Sequence, residues 1–368
     1  MSDAPAVAGA GGGGADAGDG DGYEPSLDRE RLGRWMDARG LPGTGEPVEA
    51  TFITGGASND LFAVTRGDLR CALRRPPDPV PAGRNETMLR EYRLLAALAD
   101  TDVPHPRVLA GCDDPDVVGG CFYLMEFVDG WSPIQEGTTW PEPFGSDLGA
   151  RRGLAFELVD GIARLSRVDW EARGLEGFGR PDGFHERQVD RWLAHLDAVR
   201  FRPLPGIDEA AAWLRTYHPR SYRPGIMHGD YQFANVMYRH GAPARLAAIV
   251  DWEMATVGDP LLDLGWVLNG WPDDTSAAGP STVSYVDFTG MPSKDELLEA
   301  YATASGRPVD EIDYYVILAR FKLAIVLEAG YARVVAGQAD NPKMAKFGDV
   351  VLDMAAKAAL LAATTSLR

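Results

Sequence analysis

The sequence predicts an α+β protein of two lobes, a small one with a five-stranded antiparallel sheet plus a helix and a large one that is mostly helical. Three observations predict it. Residues 48–73 alternate in a strand–loop–strand–turn–strand pattern, the period of a half-buried sheet. From residue 148 onward, apolar residues recur mainly at helical spacing. Between 226 and 264, short apolar runs are broken by isolated polar groups, as in HGDYQFANVMY and LAAIVDWE.

Residues 1–22 are rich in Gly, Ala and Asp without periodicity and are expected to form a disordered tail. Residues 26–39 read as a helix, with Ser26 as its cap and Leu27, Leu32, Trp35 and Met36 as its apolar face. Three strands follow across 48–74, and Gly55, Gly56 and Ser58 fall in the loop of the first hairpin. Small residues there would let backbone N–H groups approach a phosphate, although Gly-Gly in a hairpin is more often only a turn. Residues 85–99 form a helix with Met88, Leu89, Tyr92, Leu95 and Leu98 on one side, and 107–110 and 121–127 complete the sheet. The small lobe is placed at 23–130 and the large lobe at 131–368. Large-lobe helices are expected at 148–166, 188–199, 208–217, 293–305, 310–335 and 343–363.

Composition narrows the functional classes. The chain has 36 basic and 54 acidic residues, a formal net charge of −18, which argues against nucleic acid as a partner. The same charge suits a cationic small molecule, or simply a soluble surface. No run of 18 apolar residues appears, so no membrane span is expected, and the start does not resemble a secretory signal. A cytoplasmic protein follows by default. Cys71, Cys112 and Cys121 match no metal-ligand spacing and are expected to be reduced, packed thiols.

The chemistry concentrates in 226–264. His228-Gly229-Asp230 is followed five residues after Asp230 by Asn235, and Asp251 closes the apolar run Leu246–Val250. Phosphoryl transfer to a hydroxyl needs one carboxylate to orient or deprotonate the acceptor, and an amide oxygen with a second carboxylate to hold Mg²⁺ on the nucleotide phosphates. Asp230 fits the first role; Asn235 and Asp251 fit the second if the strands on either side of them pair as a hairpin.

The words HGDYQFANVMY and AIVDWEMATVGDPLLDLGW resemble the aminoglycoside phosphotransferase-like family, whose fold is similar to that of protein kinases. Within it, the chain resembles the branch associated with acyl-CoA dehydrogenases, from about residue 46 to 322. The resemblance implies a Mg²⁺-dependent kinase using ATP, with GTP as an open alternative, and a small-molecule acceptor. It places Arg74 where the family carries a phosphate-binding lysine, with Arg75 as the competing candidate, and Glu91 (less favoured, Glu86) as the acid that pairs with that cation. YLMEFVDG resembles a kinase hinge, so the backbones of Glu126 and Val128 are expected against the adenine. Asp259 and Asp263 are implied to brace the catalytic loop, with His228 as its support.

Two acceptor classes follow. The branch points to a hydroxyacyl-CoA or related metabolite and a functional link to an acyl-CoA dehydrogenase, whereas the broader family points to an aminoglycoside. A reading of another class, a nucleotide-binding pseudoenzyme or regulatory module, draws only on the departure from lysine at Arg74.

Overall fold

The structure is a computed structural model that describes residues 25–55, 59–137, 139–273, 275 and 285–367. The expected tail at 1–22, and Gly56 and Ser58 of the first hairpin, lie outside the described residues. The chain divides into two compact units. The first runs to Glu136 and takes in Ala234–His240 and Leu246–Glu253; the second holds Gly137–Phe233, Gly241–Arg245 and Met254 onward.

The first unit carries five strands: β1 (Glu49–Gly55), β2 (Asp60–Arg66), β3 (Leu69–Arg75), β4 (Val108–Cys112) and β5 (Phe122–Glu126). They form one sheet in the order β1-β2-β3-β5-β4, every neighbouring pair antiparallel. Pleat alternation assigns the faces. Phe62, Val64, Cys71, Leu73, Phe122 and Leu124 point one way, into a core shared with Leu32 and Met36 of the helix Arg29–Ala38. The indole of Trp35 meets Phe122 edge-on at 4.8 Å. That helix begins later than the sequence suggested because Asp28, not Ser26, caps it, accepting a hydrogen bond from the Arg31 N–H at 2.9 Å. Ser26 instead offers its carbonyl to Arg75.

The opposite face of the sheet carries Arg74, registered between Leu61 and Tyr123. The helix Arg84–Ala97 packs against β4 and β5. A short hairpin, Val236–Tyr238 with Leu246–Ile249, completes this unit. All three cysteines are buried and free, as expected.

The second unit is mainly helical. Helices span Leu148–Arg167, Phe184–Asp197, Ile207–Thr216, Leu261–Asn269, Lys294–Ser305, Ile312–Val335 and Phe347–Thr364. Leu154, Leu158, Ile162 and Leu165 are buried, as their spacing predicts. The expected helix at 343–363 is broken into Pro342–Ala345 and Phe347–Thr364. Ser293 and Glu296 form a reciprocal capping box at the start of Lys294–Ser305.

The helix Ile312–Val335 is the axis of this unit, packing against Phe184–Asp197, Ile207–Thr216, Leu261–Asn269 and Phe347–Thr364. Its approach to Leu261–Asn269 is close because residue 265 is glycine: a Cβ there would lie 2.7 Å from the Tyr315 carbonyl carbon and oxygen. No flexible side-chain tip can yield at that point. Gly265→Ala is therefore expected to destabilise the protein by about 1–3 kcal/mol, the usual penalty of overpacking, read as a lowered midpoint in thermal unfolding.

Candidate active site

In the first unit the site is built where β3, the helix Arg84–Ala97 and the hairpin converge. Val236 pairs with Ile249, and the Val250 N–H donates to the Asn235 carbonyl at 2.9 Å. Pairing of these strands thus sets Asn235 and Asp251 side by side at the hairpin's open end, the condition the sequence imposed. Asn235 is buried and Asp251 half-buried. Asp251 has φ +64°, a left-handed conformation that is uncommon outside glycine and a form of local strain.

Arg74 reaches both acids expected near it. Its Nε lies 3.0 Å from Glu91 Oε2, and its Nη2 donates to Asp251 Oδ1 at 2.9 Å. The Tyr123 hydroxyl donates to Glu91 Oε2 at 3.0 Å. Arg75, one residue on, points to the other face, where it donates to the Val118 and Ser26 carbonyls and to Asp60. Strand alternation thereby separates the two candidates. Glu86 stands in the first turn of the helix Arg84–Ala97, whereas Glu91 is buried in its interior.

Two further residues enter this cluster. Arg84 Nη1 donates to Glu253 Oε2 at 2.9 Å, and Glu253 is close enough to Asp251 for their charges to repel. Burial pushes the Glu91 carboxyl up to about 7 despite Arg74, with Asp251 and Glu253 adding to the rise. Burial also raises Glu253. Arg74 is held firmly cationic, since the surrounding acids, Glu91 foremost, outweigh the burial that opposes its charge. Three carboxylates around two guanidiniums leave the cluster one negative charge in excess when all are ionised. One carboxylate and one amide oxygen are hard donors of the type that Mg²⁺ accepts alongside substrate phosphates.

The Glu126 N–H is donated to the Arg107 carbonyl at 2.8 Å. Glu126 and Val128 line a cavity of about 360 Å³ with His105, Asp129, Arg239 and His240, a set that contains neither Arg74 nor Asp251. Gly55 closes β1 opposite Asp60.

The second unit holds Asp230 on a loop fixed from several sides. The strand Gly225–Met227 pairs antiparallel with Thr256–Gly258, which brings the start of the helix Leu261–Asn269 beneath the loop. Asp263, 1% exposed, accepts from the His228 and Gly229 N–H groups at 2.6 and 2.8 Å. Gly229 needs φ +86°, and a Cβ on it would lie 2.5 Å from the Met254 carbonyl oxygen. Lys322 Nζ donates to the Gly229 carbonyl at 3.0 Å. The ring of His228 is buried, and its Nδ1 accepts from the Asp230 N–H at 3.4 Å, a geometry for shaping the loop. Gln232 Nε2 donates to Asp230 Oδ1 at 2.9 Å.

Asp259 accepts from the Tyr315 hydroxyl at 2.6 Å and from the Leu261 N–H at 3.2 Å, and its Oδ2 lies 2.9 Å from His185 Nε2. Glu328 is buried and holds Arg202 in a two-pronged ion pair. Sequence reasoning missed Gln232, Lys322 and Glu253. For Gln232 and Glu253 the signal was proximity to Asp230 and Asp251; Lys322 is remote in the chain and gave none.

Comparison with known proteins bears on the family and the fold. The family described as "Phosphotransferase enzyme family" (APH) matches residues 49–313. Acyl-CoA dehydrogenase family member 11 of Gallus gallus is 30% identical over 344 residues, covering 90% of this chain and 43% of the relative, so the chain spans less than half of that protein. A crystal structure from Ralstonia eutropha, of a protein provisionally described as an aminoglycoside phosphotransferase, is 28% identical with a TM-score of 0.78, covering 92% of this chain and 99% of that one. A thermostable mutant of aminoglycoside phosphotransferase APH(4)-Ia, solved with ADP and hygromycin B, is 13% identical with a TM-score of 0.56 over 90% of this chain and 98% of that one, a likeness of fold. The small-lobe sheet of five antiparallel strands and the mostly helical remainder are the architecture these structures share.

Two consequences can be measured. Arg74→Met leaves Glu91 buried beside no cation, and breaking such a pair is expected to cost about 3–5 kcal/mol; Arg74→Met combined with Glu91→Leu should recover part of that loss in urea denaturation. Asp263 is raised by burial from 3.8 to about 6, against the two N–H bonds that favour its anion. The folded protein therefore holds this proton more tightly than the unfolded chain. Stability from Asp263 is full below about pH 4 and is lost as pH rises to about 6, on the order of 3 kcal/mol. The unfolding free energy of the native protein relative to Asp263→Asn should accordingly fall between pH 4 and 6 and then level off, which urea melts at each pH would show.

Proposed function

From the premise that the chain belongs to the phosphotransferase enzyme family, we propose that it is a Mg²⁺-dependent kinase transferring the γ-phosphate of ATP to a hydroxyl of a small molecule. The observation that carries this reading is the hairpin's open end, where Asn235 and Asp251 stand together beside the Arg74–Glu91 pair. Asp230, five residues before Asn235, is the remaining group that the chemistry requires.

In this reading Asp230 accepts the acceptor's hydroxyl proton as that oxygen attacks the γ-phosphorus. The new O–P bond forms as the bond from the bridging oxygen to the γ-phosphorus breaks, and ADP leaves with the electron pair. Gln232 orients the Asp230 carboxylate. Arg74, aimed by Glu91, neutralises charge on the leaving phosphates. Asn235 and Asp251 are the residues that would hold Mg²⁺, which would supply charge stabilisation on the phosphate oxygens. Gly55, Gly56 and Ser58 are assigned to the loop over the phosphates, and the Glu126 carbonyl with the Val128 backbone to the adenine. The excess negative charge of the three-carboxylate cluster supports a bound cation.

The acceptor is proposed to be a hydroxyacyl-CoA or a related hydroxylated metabolite, on the support of relatives named as acyl-CoA dehydrogenase family members. A functional link to an acyl-CoA dehydrogenase is part of the same proposal. An aminoglycoside acceptor draws support from the net charge of −18.

Incubating the protein with Mg²⁺-ATP and separate panels of hydroxyacyl-CoAs, aminoglycosides and amino alcohols, with mass spectrometry for phosphorylated products, tests both parts. A phosphorylated hydroxyacyl-CoA, lost by about 10²–10⁴-fold in Asp230→Asn, is the expected result. Phosphorylation confined to aminoglycosides would overturn the acceptor class, and product formation undiminished in Asp230→Asn would overturn the role of that residue.

A further inference from the structure

Lys322 is a buried cation at the base of the Asp230 loop. It projects from the helix Ile312–Val335 and is 6% exposed. Its Nζ donates to the Gly229 carbonyl at 3.0 Å and lies over the indole of Trp266 at 4.6 Å and that of Trp192 at 5.5 Å. Each element packed around it contributes to its field. The loop brings Asp230, the helix Leu261–Asn269 brings Asp263, and the helix Phe184–Asp197 brings Arg191.

The residue type carries information. Only five of the 36 basic residues are lysines, at 294, 322, 343, 346 and 357. Among the described side chains Lys322 is the one that is buried. Elsewhere in the interior this chain uses arginine, as at Arg66, Arg75, Arg151 and Arg307. Arginine presents a broad planar fork, whereas an ammonium is a compact point charge that fits between two indole faces while bonding one carbonyl. Tying down the Gly229 carbonyl alone would need only a neutral donor. A charge maintained here against burial implies use of the charge.

We propose that Lys322 is a positioning residue for phosphoryl transfer, fixing the Gly229 turn and supplying the positive charge against which the Asp230 carboxylate is held. The proposal rests on the reading of Asp230 as the group that receives the acceptor's proton. Together with Asp263, Lys322 grips the Gly229 peptide from opposite polarities, Asp263 taking its N–H and Lys322 its carbonyl. Burial pushes the Lys322 ammonium down to about 8, with Asp230 foremost among the groups that hold it up and Arg191 adding to the depression. Charge coupling is mutual: whatever Asp230 contributes to keeping Lys322 protonated, Lys322 contributes to keeping Asp230 deprotonated. The cation is present below about pH 8 and is lost as pH rises through that value.

The test uses the full chain labelled with ¹³C,¹⁵N-lysine, whose five side chains are few enough to follow individually; Lys322→Arg assigns the signal. The Lys322 ammonium is expected to titrate near 8, and in Asp230→Asn to titrate at least about half a pH unit lower. An unmoved titration in Asp230→Asn overturns the coupling, whatever the protein's activity. A second measurement follows Asp230-dependent hydrolysis of Mg²⁺-ATP, with water as the acceptor. Lys322→Met should bind Mg²⁺-ATP within twofold of the native affinity yet turn over at least about tenfold more slowly, a loss in the range of a displaced catalytic group. Lys322→Arg should regain part of the rate and shift the alkaline limb upward, because guanidinium does not titrate there. Native turnover in Lys322→Met overturns the proposal. Absence of any Asp230-dependent turnover in the native protein would instead strike the kinase reading, while the lysine titration still decides the coupling.

Discussion

One guanidinium joins the parts of the first unit. Glu91 comes from the helix Arg84–Ala97, Asp251 from the end of the hairpin, and Arg74 from β3 between them. An acid as buried as Glu91 cannot stay charged without a partner, and the strained φ of Asp251 persists only if its surroundings over-determine it. Arg74 meets both demands at once, with Nε on Glu91 and Nη2 on Asp251. A lysine would have to satisfy both acids from a single nitrogen. Arginine at 74 is therefore suited to bridging, and the departure from lysine reads as a change in how the acids are tied rather than as loss of the site.

The second unit solves a different problem, holding a backbone turn rigid without a regular element through it. Gly265 lets two helices approach until Tyr315 reaches Asp259, and Asp263, four residues further along, then lies under the loop. Both acids accept backbone N–H groups, Asp259 that of Leu261 at the helix start and Asp263 those of His228 and Gly229. The interior of this unit thus sets the loop by helix packing first and by hydrogen bonds second. A change at a buried glycine can act on Asp230 with no contact to it.

Much of this was legible in the sequence because it depends on short-range spacing. Period-two alternation gave β1 to β3, and the same alternation forced Arg74 and Arg75 onto opposite faces. The separation of Asn235 from Asp251 by two short apolar runs encoded the hairpin. Helix existence was readable at 148–166 and 310–335, but the exact start of the first helix was not: Ser26 and Asp28 are both competent caps, and it is the Asp28 carboxylate that accepts the Arg31 N–H. What stayed hidden depends on long-range approach. Lys322 stands 93 positions from Gly229, and nothing local distinguishes it from a surface lysine on an amphipathic helix. The same holds for Glu328, whose partner Arg202 lies 126 positions away.

The net charge of −18 and the buried Lys322 act on an acceptor from different distances. Exposed acids spread over a large surface are screened beyond about 8 Å at physiological ionic strength. They affect how often a charged molecule arrives, and less what is held beside Asp230. Lys322 acts from the base of the loop, against the Gly229 carbonyl, where low local polarity strengthens its field. A polycationic acceptor would add positive charge next to an ammonium that burial already disfavours. A neutral hydroxyl on a molecule whose other end is anionic imposes no such penalty. Under the proposed role of Asp230, charge beside that carboxylate therefore bears on the choice of acceptor more directly than the acidity of the chain as a whole.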